Sequence, residues 1–349
     1  MAKEKKKRDP ENGEKQSGRF SERLDDYINF ASSRIIDAGG HAKDSVKKAM
    51  DAVKAQLDAN GDGQVNIDDI IVLAIKAPGV YINRAKFLKR ELSKNHPQDV
   101  IDKAIRSTPA LAGIQAEEID KIADEVIKHE RTAVSGISAA LGMPGGWAMV
   151  ATVPADIMQY YGYTLRAVQE LLYLYGFPEI DADEEGLQLD SETINAIIVC
   201  LGIMNGVAGA NNAIKAVAKA LSVGVEKQLM KMALTKGTIY PIVKQIMKWF
   251  GVTLTKSLFA GAIKKAIPVV GGVVGGGITF ATFKPCCYRL KNALQDTMLS
   301  NPDHVSSEEE DTMFSEIMRG TVIEAEFEDL PPEPQEDPTM KDESSEPEE

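Results

Sequence analysis

The stretch from Asp58 to Asp69, DANGDGQVNIDD, carries oxygen-bearing groups at regular intervals. With Asp58 as position 1, the groups suited to a cation stand at positions 1, 3, 5, 7, 9 and 12: Asp58, Asn60, Asp62, the backbone carbonyl of Gln64, Asn66 and Asp69. Calcium is a hard cation that takes about six to eight oxygen ligands, and carboxylate, amide and backbone oxygens all suit it. The spacing therefore predicts a calcium site formed by one loop.

The residues between and around these ligands agree with a loop of the EF-hand type. Gly63 stands at position 6, where the backbone turns sharply, and Val65 at position 8 is the apolar residue that packs inward. Apolar residues at helical spacing up to Leu57, and the segment IDDIIVLAI after Asn66, predict a helix on each side of the loop. The alternative is an Asx- and Gly-rich turn that joins two helices without an ion.

Two features distinguish this loop from most EF-hands. Position 12 is Asp69 rather than Glu, so its shorter carboxylate reaches a bidentate contact less readily; dockerin modules, whose loops this one resembles, also have Asp there. A paired loop is not indicated, because 181–192, DADEEGLQLDSE, has Gln188 and Leu189 at positions 8 and 9. That segment favours an acidic linker whose Ser191 caps the next helix, and we expect the calcium loop to be solitary.

The charge of the chain is concentrated at its C-terminal end. The 349 residues carry a net charge of −12, but 303–349 hold 18 acidic and 2 basic residues, which leaves 1–302 at +4. No basic face with interleaved aromatic residues stands out, so nucleic-acid binding is not expected. The three cysteines do not form a disulfide framework and fit a reducing cytoplasm, and the N-terminal segment lacks the apolar stretch of a secretory signal.

Periodicity along the chain predicts an all-α fold. Apolar residues recur every three or four positions from Phe20 onward, and no run of alternating strands stands out. Three stretches without a charged residue, 132–155, 193–214 and 266–283, are long enough to cross a bilayer, but Pro-Gly, Asn or Gly residues interrupt them. We expect a bundle of Gly- and Ala-rich apolar helices packed in a buried core, with contact to a bilayer as the alternative.

The sequence divides into four parts. Residues 1–19 are predicted to be a disordered basic arm, 20–79 to be N-terminal helices with the calcium loop, 80–302 to be a helical domain, and 303–349 to be an acidic disordered tail. Within the tail, MFSEIMRGTVIEAEFEDL carries apolar residues that we expect to dock onto the body of the protein, with a partner as the alternative.

Several segments between Tyr81 and Ala293 resemble the EcsC family of bacterial proteins. Among them are IDKIADEVIKHE, SAALGMPGGWAMVATVPADIMQYY, VQELLYLYGFPEI and IPVVGGVVGGGITFATFKPCC, and the Pro-Gly-Gly turn followed by Pro-Ala-Asp is the most specific part. The resemblance covers roughly 210 residues and leaves the calcium loop outside, as an N-terminal addition. It implies a cytoplasmic or membrane-associated protein, with a membrane surface or a membrane protein as partner, and it brings no agreed enzymatic activity.

The signatures of common enzymes are missing from the sequence. There is no Gly-rich phosphate loop, and the four histidines are scattered without the spacing of a metal site or a triad. The weak catalytic candidate is Asp156, which follows the longest uncharged run and would act as an acid or base in apolar surroundings; the alternative is a helix N-cap. Cys286 and Cys287 are expected to pack at a helix end.

These patterns favour a non-enzymatic, calcium-binding accessory or interaction protein of the EcsC type. It would act in the cytoplasm or at the inner face of a membrane. Two alternatives stay open: an enzyme, for example a hydrolase, that uses Asp156, and a soluble scaffold in which calcium has a structural role.

Overall fold

Helices make up most of the part of the chain that the computed structural model describes, namely residues 55, 57–59, 65–141, 149–180, 189–250 and 270–320. In chain order they are α1 (Ile67–Ile75), α2 (Arg84–Leu92), α3 (Gln98–Arg106), α4 (Ala116–Leu141), α5 (Met149–Leu174), α6 (Ser191–Asn205), α7 (Ala210–Ser222), α8 (Lys227–Thr235), α9 (240–250), α10 (Val270–Gln295) and α11 (Glu308–Arg319). Within these ranges, strand pairing is limited to isolated bridge residues at Leu189 and Gly237. The predicted all-α fold is confirmed.

Three long helices form the centre of the bundle. Helix α4 packs along both α5 and α10, and the shorter helices cover this layer: α1 lies on α5, α6 lies on α10, and α7 packs between α6 and α11. The buried faces are mostly aliphatic, with a smaller set of polar side chains and a few large aromatic ones such as Phe87, Tyr173, Phe250 and Phe283. Burial of this apolar surface is the main stabilising contribution to the fold.

The uncharged run 193–214 is part of this core. It forms α6, a tight turn and the start of α7, and most of its aliphatic residues are buried. A Cβ added at Gly202 would meet Cδ1 and Cγ1 of Ile246, so a larger residue here would require the Ile246 side chain to shift. Asn195 and Asn205 donate from Nδ2 to backbone carbonyls at 3.0 and 2.8 Å, which satisfies both amides. For this run, the expected Gly- and Ala-rich core is confirmed.

The alternative that the uncharged stretches contact a bilayer is tested only for the described residues. In the described ranges, no helix combines the length and the apolar composition needed to cross a membrane. Helix α4 reaches Leu141 and α5 begins at Met149, so the Pro-Gly-Gly turn between them lies outside the described residues. The same holds for the basic arm 1–19 and for 251–269.

Two predictions about helix ends are wrong. Helix α6 is capped by Asp190, whose side chain accepts a hydrogen bond from the Thr193 backbone N–H at 2.8 Å, and Ser191 is the first helical residue. Cys286 and Cys287 lie within α10, after Pro285, rather than at a helix end. The first difference arises because the Asp190 side chain caps α6 one residue before Ser191, and the second because α10 continues through Pro285 to Gln295.

The prediction of a disordered tail from 303 is wrong for its first part, because α11 is a helix packed against α7 and α8. The Ser307 hydroxyl accepts a hydrogen bond from the Glu310 backbone N–H at 3.2 Å, and Gly320 ends the helix with a φ of 62°. Four acidic residues in the first turn also suit the positive end of the helix dipole. Ile317 is 1% exposed and Phe314 packs against the core, which confirms the predicted docking onto the body for this part of the segment; the rest, from residue 321, lies outside the described residues.

Candidate functional site

The calcium loop is described only at its two ends. Asp58, Asn66 and Asp69 are in the described part of the chain, whereas Asn60, Asp62 and Gln64 are outside it. Asn66 is the N-cap of α1, and its backbone N–H donates to Oδ2 of Asp69 at 2.9 Å. Asp69 is 2% exposed, in the first turn of the helix. Two ligand positions of the predicted site therefore also begin α1.

Both ends of the loop are anchored in the hydrophobic core. Leu57, immediately before Asp58, is 1% exposed, and Ile67, immediately after Asn66, is fully buried. Helix α1 also buries Ile70, Ile71, Ala74 and Ile75, and this face packs against α5. The geometry of the loop is thus coupled to the bundle at both of its ends.

Side chains of α5 hold the connection between α1 and α2 in place by hydrogen bonds to the backbone of that connection. Gln169, 1% exposed, accepts from the Ile82 N–H through Oε1 and donates from Nε2 to the Val80 carbonyl, both at 2.9 Å. Arg166 donates to the carbonyl of Gly79. These bonds fix the C-terminal side of α1 in the same way that the core fixes its N-terminal side.

Arg84 joins three separate parts of the fold. Its guanidinium donates to the carbonyls of Ala104, Ile105 and Ser107 at 2.6–3.3 Å, which caps the C-terminus of α3, and Nε donates to Phe177 at 3.0 Å. Burial lowers the pKa of Arg84, and the carboxylate of Glu179 partly offsets that effect. The guanidinium fork fits this set of carbonyls, so its role is structural.

A second cluster consists of two buried carboxyl groups and their guanidinium partners. Glu130 on α4 is fully buried and lies 3.1 Å from Arg166. Glu170, 2% exposed, lies 3.7 Å from Arg166 and 3.5 Å from Arg90. Burial raises the pKa of Glu170 to about 8, the negative charge of Glu130 adds to this, and the two arginines oppose it.

The same burial argues against catalysis by this cluster. No solute reaches the carboxyl oxygens of Glu130 and Glu170 unless a helix moves. The sequence does not predict this cluster, because its members come from different helices. The signal within the sequence is the pair Arg166 and Glu170, spaced i,i+4 on the core-facing stripe of α5, where charged residues are uncommon.

Among the histidines in the described part of the chain, His304 is the one that lies between two carboxylates. Its side chain is 2% exposed; Nδ1 lies 2.8 Å from Asp296 and Nε2 lies 2.9 Å from the fully buried Glu310. Asp296 also pairs with Lys215 on α7. Because both ring nitrogens already have carboxylate partners, the imidazole has no free nitrogen to activate a nucleophile. The arrangement joins the end of α10 to α11.

The weak catalytic candidate, Asp156, lies within α5, seven residues after Met149. The first turn of α5 contains no acidic residue, so the N-cap interpretation is wrong. The side chain of Asp156 lies outside the described residues, and a catalytic role for it stays a prediction. Burial raises the pKa of the Cys286 and Cys287 thiols, so neither is an activated thiolate.

The described residues contain no group of three or more His, Cys, Asp or Glu side chains able to hold a metal ion. Comparisons of the chain with protein-family models, with curated proteins and with solved structures give no match. The calcium loop and the EcsC resemblance therefore stay predictions that rest on the sequence.

Proposed function

We propose that the protein is a calcium-binding, non-enzymatic accessory or interaction protein of the EcsC type, acting in the cytoplasm or at the inner face of a membrane. Asp58, Asn60, Asp62, Gln64, Asn66 and Asp69 supply the oxygen ligands. The ion fixes the N-terminal helices against the bundle, so that calcium governs how the surface around the loop is presented to a partner.

The observation that carries this proposal is the burial of both loop ends. Leu57 and Ile67 are in the core, and Asp69 is almost completely buried at the start of α1. A cation bound by Asp58 and Asp69 holds these ends together and neutralises carboxylates that otherwise repel each other. Helix α1 passes this constraint to α5 through their packed apolar faces.

The remaining polar clusters support an accessory role rather than turnover. Glu130 and Glu170 are buried among their own guanidinium partners, and both nitrogens of His304 are bonded to carboxylates. Arg84 is saturated by backbone carbonyls. Each cluster joins helices, and none presents a reactive atom to solvent.

A calorimetric calcium titration of the demetallated protein in millimolar magnesium tests the proposal. The intact chain should release heat with a dissociation constant of about 10⁻⁷–10⁻⁵ M if the loop is an intracellular sensor. Asp62→Ala should abolish the heat. Asp99→Ala is the matched control, because it removes an exposed carboxylate from α3 and should bind as the intact chain does. Absence of heat with the intact chain would reduce the loop to a turn.

A further inference from the structure

A cavity of about 200 Å³ lies between α4 and α10. Its walls are formed by Asp124, Ile127, Lys128, Arg131, Lys284 and Tyr288. The first four follow one stripe of α4, and the last two are one turn apart on α10. Three cationic side chains therefore face a small space that contains a single carboxylate, and we call this space the basic cavity.

The carboxylate of the basic cavity already has a cationic partner, Lys291, that does not line the cavity. Lys291, whose side chain is 7% exposed, places Nζ 2.6 Å from Oδ1 of Asp124. Burial alone would raise the pKa of Asp124, but hydrogen bonds from Lys291 and Tyr288 outweigh it and hold the pKa below its ordinary value. Of the three cations of the basic cavity, only Lys284 also acts on the pKa of Asp124, through its charge and more weakly than Lys291, so a single carboxylate that is already paired stands against three cations.

The three cations of the basic cavity lack carboxylate partners. Neither Lys128, Arg131 nor Lys284 forms an ion pair with any residue in the described part of the chain. The guanidinium of Arg131 stacks on Phe280, 4.0 Å from the ring centroid, while its Nε is buried without a hydrogen-bond partner. The stacking holds the guanidinium in place, and an anion in the cavity would relieve the repulsion among the cations.

The position of these residues along the chain relates the basic cavity to the apolar segments. Arg131 immediately precedes the uncharged run 132–155, and Lys284 immediately follows the uncharged run 266–283. Phe280, beside Arg131, is 47% exposed. Cations and an aromatic side chain at the edge of apolar segments are typical of residues at a membrane–water interface.

We propose that the basic cavity binds a phosphate group, and that the source of this group is the headgroup of an anionic phospholipid. Arginine and lysine are the side chains that recognise phosphate, the former through its fork and the latter as a point charge. The volume is below the about 300–1,000 Å³ of pockets for drug-sized ligands, which suits one phosphate group. The phosphate site is independent of calcium; its lipid source rests on the proposed action at a membrane face.

Calorimetric titration with inorganic phosphate, in a calcium chelator, tests the site itself. The intact chain should bind phosphate, and Lys128→Gln/Lys284→Gln should weaken binding by about tenfold or more. Both lysines are exposed, so this variant should fold, which its thermal melt checks. Lys103→Gln/Lys121→Gln removes the same charge from exposed positions outside the cavity and should bind as the intact chain does.

Flotation with vesicles tests the lipid source under the same chelating conditions. The intact chain should float with phosphatidylcholine vesicles that contain phosphatidic acid and not with phosphatidylcholine alone, and the Lys128→Gln/Lys284→Gln variant should stay behind. If phosphate binds but no vesicle is recovered with protein, the lipid source is overturned and a soluble phosphate ester is the ligand. If phosphate does not bind, or binds the cavity variant and the control equally, the site itself is overturned.

Calcium is chelated in both experiments. The phosphate titration and the vesicle flotation should therefore give the same results whether or not the loop binds calcium. Asp62→Ala should bind phosphate as the intact chain does, which separates this inference from the proposed calcium function.

Discussion

Glu170 shows how one residue can depart from the ordinary behaviour of its type. Two guanidinium groups lie within 3.7 Å of it, yet its pKa is raised to about 8 because burial and the nearby Glu130 both disfavour the charged form. The folded chain therefore binds a proton on Glu170 over a pH range in which the unfolded chain has released it.

Glu170→Gln should remove a pH dependence of stability. The folded pKa is above the unfolded value of 4.5, so the proton on Glu170 contributes stability below pH 4.5 that is lost as the pH rises towards about 8. In the intact chain this loss approaches about 1.4 kcal/mol per pH unit in that interval. Urea unfolding at several pH values measures it. Glu117→Gln, at an exposed position, should keep the slope, and an unchanged slope in Glu170→Gln would contradict the prediction.

Arg84→Lys should destabilise the protein although it preserves the charge. The planar guanidinium of Arg84 donates to several carbonyls at the end of α3 and to that of Phe177. An ammonium group cannot reach all of them at once, so several carbonyls lose their donor. We expect a loss of about 2–4 kcal/mol in the free energy of unfolding. Arg106→Lys, at an exposed position on the same α3, should change stability little in the same denaturant series.

At the scale of elements, α11 is attached to the bundle by apolar and charged contacts together. Lys219 on α7 binds Asp311 at 2.5 Å and lies over the ring of Phe314, and Glu316 accepts a hydrogen bond from Thr238 at 2.8 Å. Surface ion pairs of this kind contribute little, so the buried apolar residues should decide whether the helix stays docked.

Ile317→Ala should release α11 more readily than any change on its outer face. Ile317 is 1% exposed, and truncation of such a side chain destabilises by about 2–4 kcal/mol. The expected result is faster cleavage within α11 in limited proteolysis, together with faster amide exchange in the same helix. Met318→Ala, next to it and 47% exposed, is the control, and equal cleavage of the two variants would contradict the prediction.

At the scale of the whole molecule, calcium bound to the loop should stabilise the packing of the N-terminal helices on the bundle. If only the folded chain binds the ion, free calcium at a hundredfold excess over the dissociation constant adds about 2.7 kcal/mol to the free energy of unfolding. Chemical denaturation with and without calcium measures this difference. Calcium should not change the free energy of unfolding of Asp62→Ala, and it should raise that of Asp99→Ala as much as that of the intact chain.

The sequence predicts the helices well and the polar contacts between them poorly. Periodicity identifies the all-α class, and the buried Asn-containing run 193–214 follows the Gly- and Ala-rich pattern that predicts close packing. The partners of Glu130 and Glu170 come from distant helices, and Arg84 bonds to carbonyls, which every residue has. The N-cap interpretation of Asp156 fails because the chain is already helical from Met149, seven residues earlier.

The contacts of Arg84 have a consequence for how this fold changes in evolution. All four acceptors are main-chain carbonyls, so substitutions at Ala104, Ile105, Ser107 or Phe177 leave the hydrogen bonds themselves possible. The constraint falls on the arginine alone. Among diverged copies of this fold, we expect a retained arginine whose contacts paired substitutions would not reveal, while packing alone restricts the buried Ala104 and Phe177.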